Sequence, residues 1–72
     1  MAGAVDHDER LSLESALREL PAEQREVIAL KVYEGLTFKE IAELTDAPLN
    51  TVASRYRYAI DKLRIALEAK VK

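Results

Sequence analysis

Thr51, Ser54, Arg57 and Tyr58 are the residues of this chain best placed to do recognition chemistry. They fall within one short stretch, NTVASRYRY, between Asn50 and Tyr58. On a helix their spacing puts them on one broad outward face near its N-terminal end. Ser and Thr hydroxyls can donate to a phosphate or to a base edge, and Arg can grip guanine or phosphate with two parallel hydrogen bonds. Arg55 and Lys62 lie on one flank of the same helix, where they suit phosphate contacts. Asn50 stands at its head as the expected N-cap, where free backbone N–H groups add a further phosphate site. Acids are absent from Asn50 to Ile60. A helix that enters the major groove needs such an exposed, polar, acid-free start.

Other chemistries find little support. The chain has no cysteine, which excludes a disulfide framework and thiolate metal ligation. Its one histidine, His7, has no second ligand of suitable type near it in sequence. Asp6, Asp8 and Glu9 read as helix-capping and dipole-compensating acids rather than as a metal site. Glu14, Glu19, Glu23, Glu26 and Glu34 lack a nucleophile, a Gly-rich loop or a buried base beside them. The expectation is a protein that is not an enzyme, with no metal, no catalytic residues and no cofactor.

Four helices can be read around the recognition stretch, giving an all-α fold: a small four-helix domain with a C-terminal helix-turn-helix. Residues 1–7 read as a tail or linker remnant and residues 8–70 as the domain. The first helix is expected from about Asp8 to Glu19, with Leu13, Ala16, Leu17 and Leu20 at helical spacing. Pro21 ends it and suits the first position of the next helix. That second helix, to about Tyr33, carries Val27, Ile28, Ala29, Leu30, Val32 and Tyr33. It is apolar over most of its circumference and is expected at the centre of the bundle. Gly35 marks its end. Thr37 and Glu40 form a capping box at the head of the third helix, whose Phe38, Ile41, Ala42 and Leu44 are expected inward. The turn is Thr45-Asp46-Ala47-Pro48, in which Asp46 can take a left-handed conformation and Pro48 stops the third helix. The fourth helix then runs to about Ala69. Its inward stripe is Val52, Tyr56, Ala59, Leu63 and Ala66, with Ser54, Arg57, Tyr58, Asp61 and Ile65 opposite. Ala53, Ile60 and Arg64 occupy the remaining flank.

Length and charge agree with this reading. Seventy-two residues make one small domain, with about fifteen inward side chains and a stability of only a few kcal/mol. The net charge of −2 hides an asymmetry: Met1 to Leu49 holds five Lys/Arg against eleven Asp/Glu, and Asn50 to Lys72 holds six against two. One end is built to approach phosphates. No apolar run nears the roughly 18 residues of a membrane span, and no signal-peptide core follows Met1. The default is a soluble cytoplasmic protein without a membrane partner.

The residues also resemble a family. Leu20-Pro21-x-Glu23-Gln24-Arg25-Glu26-Val27, then Glu34-Gly35-Leu36-Thr37-Phe38-x-Glu40-Ile41-Ala42-Glu43, then Pro48-x-Asn50-Thr51-Val52-x-Ser54-Arg55 and Lys62-Leu63-Arg64 look like region 4 of bacterial sigma-70 family factors. The extracytoplasmic-function (ECF) group is the nearest likeness, and the resemblance covers about Leu11 to Leu67. It implies a four-helix domain that binds the minus-35 promoter element through its last helix, contacts the beta flap of RNA polymerase core, and often meets an anti-sigma factor. Carried over by position, the DNA-facing set is Thr51, Ala53, Ser54, Arg55, Arg57 and Tyr58. With Asn50 and Lys62 from the reading of the helix, these form the expected DNA-binding residues.

The departures matter as well. The family usually has Lys or Arg at the position of Ala53, tends to have Arg at those of Tyr58 and Ile60, and usually has Gly at that of Asp46. Asp61 adds a negative charge near the phosphates. Fewer cations mean weaker binding and a flatter salt dependence, with the isolated domain near the non-specific level of about 10⁻⁴ to 10⁻⁶ M. Two other readings therefore stand beside the promoter reader. One is a protein-interaction module for the beta flap or an anti-sigma factor, using exposed Ile60 and Ile65 with Tyr58. The other is a stand-alone helix-turn-helix regulator acting as a homodimer, against the expectation of a monomer.

Overall fold

The computed structural model describes residues 13–71, with side chains to residue 69. The expected start of the first helix at Asp8, the tail, His7 and the acids Asp6, Asp8 and Glu9 lie outside the described residues. Within them stand four helices and no strand. Helix α1 covers residues 13–19, α2 Ala22–Ile28, α3 Phe38–Thr45 and α4 Leu49–Val71. A π-helical turn, Ala29–Tyr33, extends α2.

Local chemistry fixes the joints. Pro21 is the residue before α2, with φ −54° and ψ 148°, and its carbonyl accepts from Arg25 N–H. It therefore caps α2 instead of opening it, one position earlier in role than the sequence suggested. The Arg25 guanidinium reaches back to the Arg18 carbonyl at 3.3 Å, placing a cation at the C-terminal end of α1 where the helix dipole favours it. At the end of the π turn Glu34 N–H donates to Ala29 and Leu36 N–H to Leu30. Gly35 closes the turn at φ +73°, a left-handed conformation that costs glycine little.

The head of α3 is a complete capping box. Glu40 N–H donates to Thr37 Oγ1 at 3.0 Å, and Thr37 N–H donates to Glu40 Oε1 at 2.8 Å. The tail of α3 closes on Asp46 at φ 56° and ψ 45°, with both Asp46 and Ala47 N–H on the Ala42 carbonyl. That double closure on one carbonyl turns the chain sharply and delivers α4 across α3.

Two apolar clusters hold the domain. Ala16, Leu20, Ile28, Ala59 and Leu63 join α1 and α2 to the rear of α4, with Leu17, Tyr56 and Ala66 packed on them. Val27, Ile41 and Val52 join α2 and α3 to its front, under Leu30, Leu36, Phe38, Ala42 and Ala47. Phe38 and Tyr56 meet edge to face at 5.3 Å, and Lys31 lies 4.9 Å from the Phe38 ring centre.

The core is smaller than the sequence suggested. Eight hydrophobic residues are buried among those described, against the expected fifteen or so. Leu44, expected inward, is 65% exposed. Ile41, Phe38, Ala42 and Thr45 define the inward arc of α3, and Leu44 lies roughly a third of a turn away from its centre. Val32 and Tyr33 are also exposed, so α2 is not apolar-packed on all sides. The wider π turn closes the helix in five-residue steps, and its last two residues pass beyond the packed arc. No helix among the described residues is long and apolar enough to cross a membrane.

Candidate nucleic-acid interface

The recognition stretch sits in the first three turns of α4. The helix begins at Leu49, with Val52 N–H on the Pro48 carbonyl at 3.1 Å. Asn50 is therefore the second helical residue, not the N-cap. Pro48 takes the capping place, since its carbonyl closes the first turn. The inward stripe is as the spacing indicated: Val52 and Ala59 are fully buried, Leu63 nearly so, and Tyr56 and Ala66 are partly buried.

The side chains of the candidate set differ in access. Asn50, Arg57, Tyr58 and Lys62 are exposed, while Thr51, Ala53, Ser54 and Arg55 are half-buried. Arg57 lies over the Tyr58 ring, its guanidinium carbon 5.9 Å from the ring centre. That distance is inside the reach of a cation–π contact. Leu49, which sequence reasoning passed over, is 54% exposed on the first turn. Counting α4 from Pro48 rather than Asn50 brings it into view.

The four cations of α4 whose side chains are described, Arg55, Arg57, Lys62 and Arg64, are not equivalent. Arg55 Nη2 stands 3.7 Å from Glu23 Oε2 of α2, an acid 32 positions away that helical spacing does not pair with it. Arg64 donates to Asp61 at 2.6 Å and lies 3.8 Å from Glu68. The Asp61 hydrogen bond first, then the charges of Asp61 and Glu68, hold the Arg64 guanidinium above its ordinary pKa. Arg57 and Lys62 meet no carboxylate at ion-pair distance among the described residues. Asp61 follows Arg57 by one helical turn, where it could claim that guanidinium, but its Oδ1 accepts from Arg64 instead.

Ile60 and Ile65 are 39% and 59% exposed. Ile65 borders an open groove between α1 and α4, about 240 Å³, together with Ala16, Glu19, Leu20, Lys62 and Ala66. The structure does not bring Ile60 to this groove. Among the described residues no cluster of His, Cys, Asp or Glu is arranged to hold a metal ion.

Residues 10–63 match the family described as Sigma-70, region 4. The chain belongs to the sigma-70 region 4 family. This sigma-70 region 4 domain is 40% identical over 65 residues to the RNA polymerase sigma factor SigV of Bacillus subtilis (strain 168), covering 90% of the chain and 39% of that protein. It is 38% identical over 65 residues to the ECF RNA polymerase sigma factor SigK of Mycobacterium tuberculosis (strain ATCC 25618 / H37Rv), covering 90% and 35%. To the ECF RNA polymerase sigma factor RpoE of Cereibacter sphaeroides it is 41% identical over 56 residues, covering 78% and 31%. The region 4 chain thus spans between 31% and 39% of the length of these curated relatives.

Proposed function

We propose that this chain is the promoter-reading domain of an ECF-type sigma factor, binding the minus-35 element through α4 in transcription initiation. Family membership and the likeness to three sigma factors support that reading. The observation that carries it is the start of α4: three turns without an acid, with Asn50, Arg57 and Tyr58 exposed beside half-buried Thr51 and Ser54. Arg57 enters the major groove and contacts a base edge, while Ser54, Thr51 and Asn50 donate to bases or phosphates. Lys62 contacts phosphate. Ala53 adds apolar contact at close approach, and Arg55 divides its charge between Glu23 and the phosphates.

The same reading places the domain in the cytoplasm with RNA polymerase core, its beta flap as partner and an anti-sigma factor as regulator. It assigns a binding role and no catalysis. Exposed Ile60 and Ile65 are the surface proposed for those protein contacts.

Replacing Arg57 with Ala should weaken binding to a minus-35 duplex about tenfold to a hundredfold, the worth of a bidentate base contact, and relax preference at one base pair. Unchanged affinity and unchanged preference would remove Arg57 from the groove. Replacing Ile65 with Asp should disrupt a polymerase or anti-sigma complex while leaving the melting curve in place. A surviving complex would make that surface irrelevant.

A further inference from the structure

Arg57 is an exposed guanidinium on a helix, and such a side chain normally samples many rotamers. Fixing it for a two-bond contact costs that freedom. Two features of α4 reduce the cost. The competing acid one turn on, Asp61, is held by Arg64 at 2.6 Å, and Arg64 is itself tethered towards Glu68. The neighbouring ring of Tyr58, itself 56% exposed, lies 5.9 Å from the Arg57 guanidinium carbon. A ring attracts a guanidinium through its face, whereas the guanidinium N–H donors point outward in its own plane. A guanidinium held parallel to a ring keeps its in-plane donors open for a second partner.

We propose that Tyr58 is a positioning residue for Arg57, its ring holding the guanidinium on the outward face of α4 where it donates two parallel hydrogen bonds to O6 and N7 of a guanine. The inference rests on the reading of α4 as a DNA-reading helix. It assigns the aromatic ring, not the phenol hydroxyl, as the working part of Tyr58. It also gives Arg64 an indirect part: it keeps Asp61 from capturing Arg57.

The test uses a duplex selected from a randomised pool by the unaltered chain, and copies in which each guanine in turn is 7-deazaguanine, which lacks the N7 acceptor. Binding is measured for the unaltered chain, Tyr58→Phe, Tyr58→Ala, Arg57→Ala and the double alanine variant, with thermal melts to verify folding. Tyr58→Ala should bind about two- to fivefold more weakly, the size of an exposed cation–π contact. Tyr58→Phe, which keeps the ring, should retain the 7-deazaguanine penalty that Tyr58→Ala loses. The loss from Tyr58→Ala should vanish when Arg57 is already Ala, and the penalty for 7-deazaguanine at one position should shrink. Losses that multiply in the double variant give Tyr58 a contact of its own and overturn the proposal. An equal loss on every duplex with a shallower salt slope puts Arg57 on phosphate and overturns it too. If the unaltered chain selects no preferred duplex, the reading of α4 falls and the positioning role with it. If it selects one and Tyr58→Ala keeps the full preference, only the positioning role falls.

Discussion

The two apolar clusters divide α4 between them, and they are not equally closed. The front cluster, beneath the reading face, has Ile41 and Val52 at 0% exposure and Val27 at 1%. It is braced by the Phe38–Tyr56 ring pair and by the capping box on α3. The rear cluster leaves Leu63, Ala16 and Leu20 between 5% and 8% exposed, beside the open groove that Ile65 borders. The half of α4 that must present side chains in register is clamped by two helices and a fixed turn. The other half is only partly covered. Precision of presentation is thus concentrated under the proposed reading face, and loose cover is left where a protein partner could add surface.

Removing the branched side chain at the centre of the front cluster should have the largest effect. Ile41→Ala is expected to cost about 2–5 kcal/mol, towards the upper end because no groove lets the neighbours collapse. Leu63→Ala should fall at the lower end of that range, since its site already opens towards solvent. Urea midpoints of the two variants test the contrast, and equal losses would break it. Thr37→Ala should cost about 1 kcal/mol by ending the capping box, and that loss should be felt in the front half alone. Hydrogen exchange would localise it, and protection lost equally along α4 would contradict the division.

The smallest expected effect sharpens the charge side of the comparison. Arg55 stands against Glu23, whose side chain is 72% exposed, so the pair contributes only about 0–1 kcal/mol. Glu23→Gln should leave the melting temperature almost unchanged. It should free Arg55 for phosphate and steepen the slope of log affinity against log salt by about 0.9, one phosphate contact. A steeply lowered melting temperature with an unchanged slope would make the pair purely structural.

Legibility in the sequence followed the range of the interaction. The capping box at Thr37 and Glu40, the left-handed Asp46 and the stop at Gly35 each depend on neighbours a few residues away, and each was readable. The inward stripe of α4 was readable because five positions share one period. Leu44, Val32 and Tyr33 misled because an apolar side chain is buried only if something stands opposite it. Helical spacing does not say what stands there. The start of α4 was misplaced because Asn50 is a good cap by type, while the turn closing on Asp46 had already committed Pro48 to that place. The Arg55–Glu23 contact joins distant segments, so only the packing of α2 on α4 reveals it. The candidate reading face was legible as a set. Its division into paired and unpaired cations was not.

Titration of the chain into a labelled minus-35 duplex and a scrambled one, at low and moderate salt, tests the central claim most directly. The account predicts tighter binding to the element at both salts, from a base level of about 10⁻⁴ to 10⁻⁶ M for non-specific contact, with the difference lost in Arg57→Ala. Equal binding to both duplexes that disappears as salt rises would contradict it, leaving α4 a phosphate-binding helix that reads no sequence.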